Sequence, residues 1–360
     1  MATGRRNSGM SATNTWRRPL ARLLLGACAA ATLAAPAMAA QQPGQGPAAP
    51  APPEMAATPQ RSFPNDIVGL MDITYARHDG FRPQKLDIYT SRTKAAAPKP
   101  LVIWLHGGGW YTGDQRGGGV ATASYRDWPA TLAALAARGY VVASVAYRFS
   151  GEVKYPEPIK DVKAAIRWLK TNAATYGADP NRVVIWGGSA GAHIAEVVGL
   201  SCNVPELEAP AMRGADASSC VNGIIDFYGP SDFAQVQGQL VPGAPPSRFG
   251  DLLPGASGYL GCDVVKTCTA EQLRAANPIT YIDRQDPPVL IVHGDADATV
   301  PIGQGRILHD ALVKGGVKSE LMVIPKADHV FAGSDDAVGK QIMDKVYAFL
   351  DATTGVTPAN

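Results

Sequence analysis

The feature that most constrains the fold is a regular alternation between short, continuously apolar runs and longer amphipathic stretches. Runs such as 100–105 (PLVIWL) lack polar alternation, as expected of strands covered on both faces of a sheet. The stretches between them have helical spacing. This pattern predicts an α/β protein with a mostly parallel, eight-stranded sheet and helices on both faces, the first two strands forming an antiparallel pair. The predicted strands are 72–78, 84–90, 100–105, 140–147, 182–186, 222–228, 288–293 and 320–324, and the predicted helices are 124–138, 158–176, 190–200, 304–314 and 336–350.

Residues 231–280 interrupt this alternation before the seventh predicted strand. The segment is rich in Gly and Pro and has weak periodicity, so we expect a cap-like insertion over one edge of the sheet. The folded domain is expected to span 61–354, with 355–360 as a tail. Residues 40–60, rich in Pro, Ala, Gly and Gln, are expected to form a flexible linker because they cannot bury enough apolar surface to offset ordering.

The N-terminal 39 residues have the pattern of a signal peptide. Arginines precede the apolar run 23–35, and Ala37-Met38-Ala39 follows as an A-x-A cleavage site. The run is too short to span a bilayer, which takes about 20 residues. We therefore expect a periplasmic or secreted protein without stable membrane insertion after cleavage. Arg17-Arg18 leaves twin-arginine export open beside the general route, whereas lipidation at Cys28 is not expected because its apolar lead-in is short.

Export also accounts for the cysteines. Four remain after cleavage, and an oxidising compartment favours disulfides over free thiols. Four cysteines allow three pairings, of which the local one closes the shortest loops. We therefore predict the disulfides Cys202–Cys220 and Cys262–Cys268. No C-x-x-C occurs, and no metal site is predicted.

Composition excludes several classes of protein. The chain is 46% hydrophobic and 18% charged, which excludes a disordered protein. Its formal net charge of +2 depends on the five arginines of the predicted signal peptide, so the mature chain is mildly acidic. Because it has no general basic field, no nucleic-acid partner is expected. Its oligomeric state cannot be read from the sequence.

The strongest chemical signal follows the predicted strand 182–186. Gly187-Gly188-Ser189-Ala190-Gly191 is a G-x-S-x-G motif between a strand and a helix, where a tight turn presents the serine hydroxyl above the sheet. A purely structural turn with a capping serine is the alternative. The strand–turn–helix context favours Ser189 as a nucleophile.

A serine nucleophile needs a base and an orienting acid, which follow it in the order acid, then histidine, in proteins with this motif. His329 lies in a loop between the last strand and the last helix, where a base is required. His293 and His309 are expected to be structural. The acid should follow strand 288–293, where Asp295 and Asp297 both qualify by spacing. Asp328 is a third candidate, poorly placed because it adjoins the base.

Acyl transfer also requires donors for an oxyanion. His106-Gly107-Gly108-Gly109-Trp110 follows strand 100–105, and its glycines allow backbone N–H groups to approach a ligand closely. We assign the donors to the N–H groups of Gly108, Gly109 and Ala190. A phosphate cradle is the alternative, but the Gly-Lys-Ser/Thr that it needs is absent.

Other residues give weaker signals. Trp110, Tyr111 and Tyr228 follow strand ends and are predicted to line the substrate pocket, although packing explains them equally well. His193 and Glu196 have i, i+3 spacing on the helix after Ser189, and we interpret His193 as a core histidine. Arg148 is expected to form a structural ion pair with Asp161. All of these assignments rest on position in the sequence alone.

Over roughly residues 70–352 the chain resembles the α/β-hydrolase lineage of hormone-sensitive-lipase-like carboxylesterases. It is most similar to the bacterial feruloyl esterase-like and acetylesterase-like branch, which also includes kynurenine formamidases. Gly188 stands where hormone-sensitive-lipase relatives typically have Asp, which favours this branch. The matching elements are His106–Trp110, Tyr147-Arg148, Gly187 to His193, Asn277 to Tyr281 and His293-Gly294-x-x-Asp297-x-x-Val300-Pro301.

The resemblance implies the α/β-hydrolase fold, a Ser189–Asp297–His329 triad and no cofactor. It selects Asp297 over Asp295, because the family acid lies four residues before the proline of the last element. We therefore expect a serine carboxylester hydrolase acting on small acyl or aryl esters, with acetyl or feruloyl esters of plant polysaccharide as further substrates. A formamidase, an amidase or an oligopeptidase of the same fold is the alternative within enzymes. A catalytically silent binding module is the alternative outside them.

Overall fold

A computed structural model of the chain describes residues 49–93, 95–202, 204–209, 216–240 and 251–356. The predicted signal peptide, Cys28 and residues 357–360 lie outside the described residues. All described residues belong to the compact unit Pro43–Asn360. Within them, no helix combines the length and the hydrophobicity needed to cross a membrane.

The centre of the fold is one sheet whose strands have the order β1-β2-β3-β5-β4-β6-β7-β8-β9. The pairs β1–β2, β2–β3 and β3–β5 are antiparallel, and all other neighbours are parallel. The carboxyl ends of the parallel strands therefore meet at one edge of the sheet. The strands are β1 (Gln60–Phe63), β2 (Ile67–Ala76), β3 (Gln84–Ser91), β4 (Lys99–Leu105), β5 (Val141–Val145), β6 (Ala178–Gly188), β7 (Gly223–Phe227), β8 (Val289–Gly294) and β9 (Ser319–Ile324).

Helices cover both faces of this sheet, as predicted. On β4, Leu101 and Ile103 point into the core formed with α2, α4 and α8, whereas Val102 and Trp104 point into the core formed with α1 and α9. Burial on both sides explains why the strand has no polar alternation. The helices are α1 (Trp128–Ala137), α2 (Glu157–Thr171), α3 (Ala173–Tyr176), α4 (Ala190–Leu200), α5 (Phe233–Gln239), α6 (Leu252–Leu260), α7 (Ala270–Ala276), α8 (Gly303–Gly315) and α9 (Asp336–Thr354).

Within the described residues the sheet has nine strands rather than the eight predicted. The additional strand is β1, which pairs antiparallel with β2 at the edge of the sheet. Its four residues are mostly exposed, so no apolar run marks it in the sequence.

Two predicted helices also differ from those in the structure. The helix expected over 124–138 begins only at Trp128, after the Asp127 side chain accepts a hydrogen bond from Ala130 N–H, and the helix expected over 158–176 divides into α2 and α3 at Asn172.

The described part of the predicted linker contacts the folded body. The Trp168 indole N–H donates to the Pro50 carbonyl at 2.6 Å, and Met71 N–H donates to the Pro59 carbonyl at 2.8 Å. Ala49 packs against the hydrophobic core. The domain boundaries drawn from the sequence remain predictions.

The segment 231–280 contains α5, α6 and α7, with 241–250 outside the described residues. Helix α6 packs on the loop after β4, since a Cβ added to Gly255 would lie 3.0 Å from the Gly109 carbonyl oxygen. The structure contains both disulfides with the predicted pairing, Cys202–Cys220 and Cys262–Cys268. The second disulfide closes a short loop directly after α6.

Candidate active site

Ser189 occupies the tight turn between β6 and α4. Its backbone has φ 56° and ψ −121°, a left-handed conformation that costs a non-glycine residue about 1–3 kcal/mol. The flanking glycines make the turn sterically possible. A Cβ on Gly187 would lie 2.2 Å from the Gly191 carbonyl oxygen, and one on Gly191 would lie 2.3 Å from the Leu105 carbonyl oxygen. The turn therefore presents the Ser189 hydroxyl at the carboxyl edge of the sheet.

His329 lies in the turn after β9 and faces this hydroxyl. Its Nε2 is 3.0 Å from Ser189 Oγ, and the side chain is buried. The backbone of the next two residues is left-handed, with φ 56° at Val330 and 59° at Phe331. The ring of Tyr228 contacts the imidazole edge to face, with centroids 4.7 Å apart. This packing fixes the plane of the imidazole.

Asp297 lies behind the imidazole. Its Oδ2 is 2.8 Å from His329 Nδ1, while its Oδ1 accepts hydrogen bonds from the backbone N–H groups of Thr299 and Val300 at 2.9 and 2.8 Å. Because Nδ1 faces a carboxylate, it carries the ring proton, and Nε2 presents its lone pair to Ser189. The three side chains thus form one continuous hydrogen-bonded line.

The other two acid candidates lie elsewhere. Asp295 is exposed, and its carboxylate accepts a hydrogen bond from Lys326 N–H at 2.6 Å. Asp328 accepts hydrogen bonds from the N–H groups of His329 and Ala298, so it holds the backbone around His329 rather than the imidazole. Geometry therefore separates three carboxylates that sequence spacing could not.

The loop after β4 brings backbone donors to the same place. Gly108 has φ 112° and Gly109 has φ 58°. A Cβ on Gly108 would lie 2.1 Å from the Thr112 carbonyl oxygen, so no larger residue fits without moving the loop. Within the described chain, neither glycine N–H donates a hydrogen bond to another residue, which leaves both for a ligand. Ala190 N–H lies at the first position of α4, next to Ser189.

A cavity of about 230 Å³ opens above Ser189. Tyr111 and Tyr228 line it, and their role in binding substrate stays a prediction. Trp110 does not line it, because φ 63° at this residue turns its side chain into the core, where it is fully buried and stacked on Tyr259 at 5.0 Å. The further lining side chains that sequence reasoning missed are Thr112, Asp251, Leu252, Thr299 and Val330, together with Gly113, Gly117 and Gly118.

Some of these omissions have a sequence signal. Thr299 and Val330 lie within two residues of Asp297 and His329, so proximity to the predicted triad could have found them. Leu252 comes from α6 in the insertion, and no motif marks its approach to the cavity. The glycines at 117 and 118 follow the loop after β4 in an unpatterned stretch.

The other histidines are structural in position. His293 Nε2 binds the Val300 carbonyl oxygen at 2.8 Å, and His193 Nε2 binds that of Ala276 at 2.9 Å. Burial lowers the pKa of His293, and lowers that of His193 to about 4, so both rings are neutral. His309, on α8, contacts the hydroxyl of Ser319 at the start of β9, with Nδ1 and Oγ 2.9 Å apart. The predicted pair of Arg148 with Asp161 is confirmed, with Nη2 and Oδ1 2.7 Å apart in a buried site.

Two tyrosine hydroxyls donate hydrogen bonds to backbone carbonyls in the segment that follows β4. Tyr147 donates to the His106 carbonyl at 2.8 Å and stacks on the His106 ring, with centroids 4.6 Å apart. Tyr228 donates to the Gly119 carbonyl at 2.5 Å. Burial, with the Asp297 carboxylate nearby, raises the pKa of Tyr228, so its hydroxyl stays protonated as this donor.

No group of three or more His, Cys, Asp or Glu side chains suited to a metal ion occurs among the described residues.

A mostly parallel sheet with a strained serine at a strand-to-helix turn, facing a histidine at the same edge, defines the α/β-hydrolase class. The family model BD-FAE matches residues 86–312, and the chain belongs to this family of α/β-hydrolase carboxylesterases.

Individual proteins agree with this assignment. Esterase LipC of Mycobacterium tuberculosis is 31% identical over 258 residues, which cover 71% of this chain and 58% of LipC. A truncated carbohydrate esterase from gut microbiota has a TM-score of 0.65 at 26% identity, covering 80% of this chain and 96% of that one. The thermophilic esterase Est2 of Thermogutta terrifontis, also solved with propionate and with butyrate bound, has a TM-score of 0.60 at 28% identity, covering 86% and 97%. The chain spans about three fifths of the length of the curated relatives it matches.

Proposed function

We propose that the protein is an exported serine carboxylester hydrolase that acts on small acyl or aryl esters. The observation that carries this proposal is the continuous line from Ser189 Oγ through His329 to Asp297, with separations of 3.0 and 2.8 Å. A serine hydroxyl becomes nucleophilic when a base held in the right tautomer can remove its proton. The family relationship and the named esterases among the similar proteins support the same reaction class.

The reaction then follows from the positions of the groups. His329 Nε2 takes the proton of Ser189 as Oγ attacks the ester carbonyl, and the resulting imidazolium is stabilised by Asp297. The N–H groups of Gly108, Gly109 and Ala190 hold the tetrahedral oxyanion, each worth about 3 kcal/mol of barrier. His329 then gives its proton to the leaving alcohol. Water repeats the sequence on the acyl-enzyme and restores Ser189.

The size of the cavity supports a short acyl group. Its volume of about 230 Å³ is small, and glycines and buried side chains form much of its wall. Est2, one of the similar structures, holds propionate or butyrate. The two disulfides support export to an oxidising compartment.

A panel of acyl groups tests this function. With p-nitrophenyl esters, kcat/KM is expected to be highest for acetate to butyrate and to fall at least about tenfold for decanoate, which the cavity cannot enclose. The matched p-nitroanilides and an N-formyl arylamine should be hydrolysed far more slowly, because amide cleavage needs a better-placed proton for its leaving amine. An anilide or formamide rate above the ester rate would replace the esterase proposal with an amidase or formamidase.

A second hollow adjoins the cavity, and we propose that it receives the alcohol portion of the ester. This hollow of about 260 Å³ shares Gly118 and Val330 with the cavity and is also lined by Tyr125 and Arg126. The leaving oxygen must face His329 Nε2, and Val330 follows His329 directly. The alcohol portion of an ester therefore has a route toward Tyr125, whose flat ring suits a sugar face. We propose a polysaccharide-linked alcohol as the occupant.

Replacing Tyr125 by alanine tests the alcohol site. KM for an acetylated xylo-oligosaccharide is expected to rise about three- to tenfold through loss of the ring contact. The kcat for that substrate, and both constants for p-nitrophenyl acetate, should stay unchanged, because the small ester does not reach Tyr125. Equal changes for the two substrates would contradict a role of the second hollow in binding.

A further inference from the structure

Two carboxyl groups that the proposed reaction does not use lie fully buried beneath the site. Glu196 is on α4, seven residues after Ser189, and Asp226 is in β7, between β6 and β8. Both have 0% exposed surface. They border the same space, since a Cβ added to Gly229 would lie 2.5 Å from Glu196 Oε1 and 2.8 Å from Asp226 Oδ1.

No cation among the described residues neutralises this pair. Asp226 Oδ1 accepts one hydrogen bond, from Gly229 N–H at 2.7 Å, while Asp226 Oδ2 and both oxygens of Glu196 accept none from the described residues. Two buried, unpaired carboxylates in contact are strongly unfavourable. One shared proton removes a charge and supplies the missing donor at once. Burial and mutual repulsion accordingly raise the pKa of Glu196, and burial raises that of Asp226.

The neighbouring titratable groups cannot supply the missing charge. His193 on α4 and His293 on β8 are neutral because burial lowers the pKa of each. Lys163, the buried cation of α2, is 2.8 Å from Glu208. Asp232, before α5, is bound by Asn277, and Tyr228 keeps its proton. The Ser231 hydroxyl lies beside Glu196 and donates a hydrogen bond to the Gln304 carbonyl at 3.2 Å.

The pair anchors the turn that supports both reacting side chains. This turn, residues 227–229, follows Asp226 directly, and its Gly229 N–H donates to the Asp226 carboxyl. Phe227 accepts a hydrogen bond from Ser189 N–H at 2.8 Å. Tyr228 packs against the His329 ring. A displacement of the turn would therefore move the nucleophile and the base together.

We propose that Glu196 and Asp226 share one proton and act as a single positioning unit that holds the turn 227–229 in register with Ser189 and His329. The inference rests on the proposed roles of Ser189 and His329. Loss of the shared proton at alkaline pH places two repelling charges under the turn and displaces it. Neither residue touches the ester, so both are positioning residues rather than catalytic ones.

The direction in which stability changes with pH follows from the linkage between proton binding and folding. A carboxyl whose pKa is higher in the folded than in the unfolded protein binds more protons when folded, so stability falls as pH rises from the unfolded value toward the folded one. In Glu196→Gln the amide keeps a donor for Asp226 but cannot ionise. We expect its Tm to fall less between pH 6 and 9.5 than that of the wild type. Glu206→Gln, at an exposed acid, should follow the wild-type curve.

Activity provides the second measurement. For p-nitrophenyl acetate, Glu196→Gln should retain kcat within about twofold at pH 7 and extend the alkaline limb of kcat by about one pH unit. Glu196→Ala, which leaves Asp226 without a proton partner, should lower kcat about tenfold with little change in KM. Superimposable Tm and kcat profiles for wild type and Glu196→Gln would overturn the proposal. The Tm profiles need no activity, so the inference can fail or hold independently of the esterase proposal, which labelling of Ser189 by a fluorophosphonate tests separately.

Discussion

Replacement of Ser189 by alanine is expected to lower kcat for p-nitrophenyl acetate by about 10⁴-fold or more, with the Tm changed by no more than about 2 °C. The loss is large because Ser189 Oγ, 3.0 Å from His329 Nε2, is the hydroxyl proposed to attack the ester, and without it attack falls to water alone. The fold is spared because alanine has the same backbone strain as serine at φ 56°. The measurement is initial rate together with thermal unfolding of both proteins.

Two controls make this result specific. Ser62→Ala, at an exposed serine of the edge strand β1, should leave kcat unchanged. A fluorophosphonate probe should label wild type and Ser62→Ala in a one-to-one ratio and fail to label Ser189→Ala. Turnover by Ser189→Ala at more than about a tenth of the wild-type rate would exclude a serine mechanism.

The sequence was sufficient to predict those parts of the molecule whose place in the fold is reflected in a local residue pattern. Strands β4, β6 and β8 are apolar on both faces, so their carboxyl ends could be located and the functional loops found directly after them. Ser189 was identifiable because the turn at φ 56° admits only glycines at 187 and 191, which leaves a visible motif. His329 was identifiable by exclusion, since the other two histidines after α4, His293 and His309, lie within a strand and a helix.

The features that could not be predicted from the sequence depend on the directions in which loops and side chains point, which no local residue pattern encodes. Asp295 and Asp297 are two residues apart in one loop, and only the path of that loop turns Asp297 toward the imidazole and Asp295 toward Lys326. Trp110 directly follows Gly108 and Gly109, but its positive φ turns the ring into the core. Glu196 and Asp226 are 30 positions apart, and only the packing of α4 on β7 brings their carboxyl groups to one space.

The substitution that separates the two acids most sharply is Asp297→Asn, for which we expect kcat to fall by about 10³- to 10⁴-fold. The amide can keep its oxygen at the Oδ1 position, where it accepts from the N–H groups of Thr299 and Val300, so the loop should hold. Its nitrogen then faces His329 Nδ1 at the position of Oδ2, 2.8 Å away. Because a donor now faces Nδ1, the ring proton moves to Nε2, and the lone pair that would take the Ser189 proton is lost.

Asp295→Asn provides the matched control, because the same change is made two residues away on a carboxylate that binds Lys326 N–H outside the site. Its kcat should stay within about threefold of wild type, and its Tm should change no more than that of Asp297→Asn. Steady-state rates on p-nitrophenyl acetate and thermal unfolding of the two variants decide the question. If Asp295→Asn carried the larger loss of kcat, the acid would be Asp295, and the loop would have to rearrange to bring it behind His329.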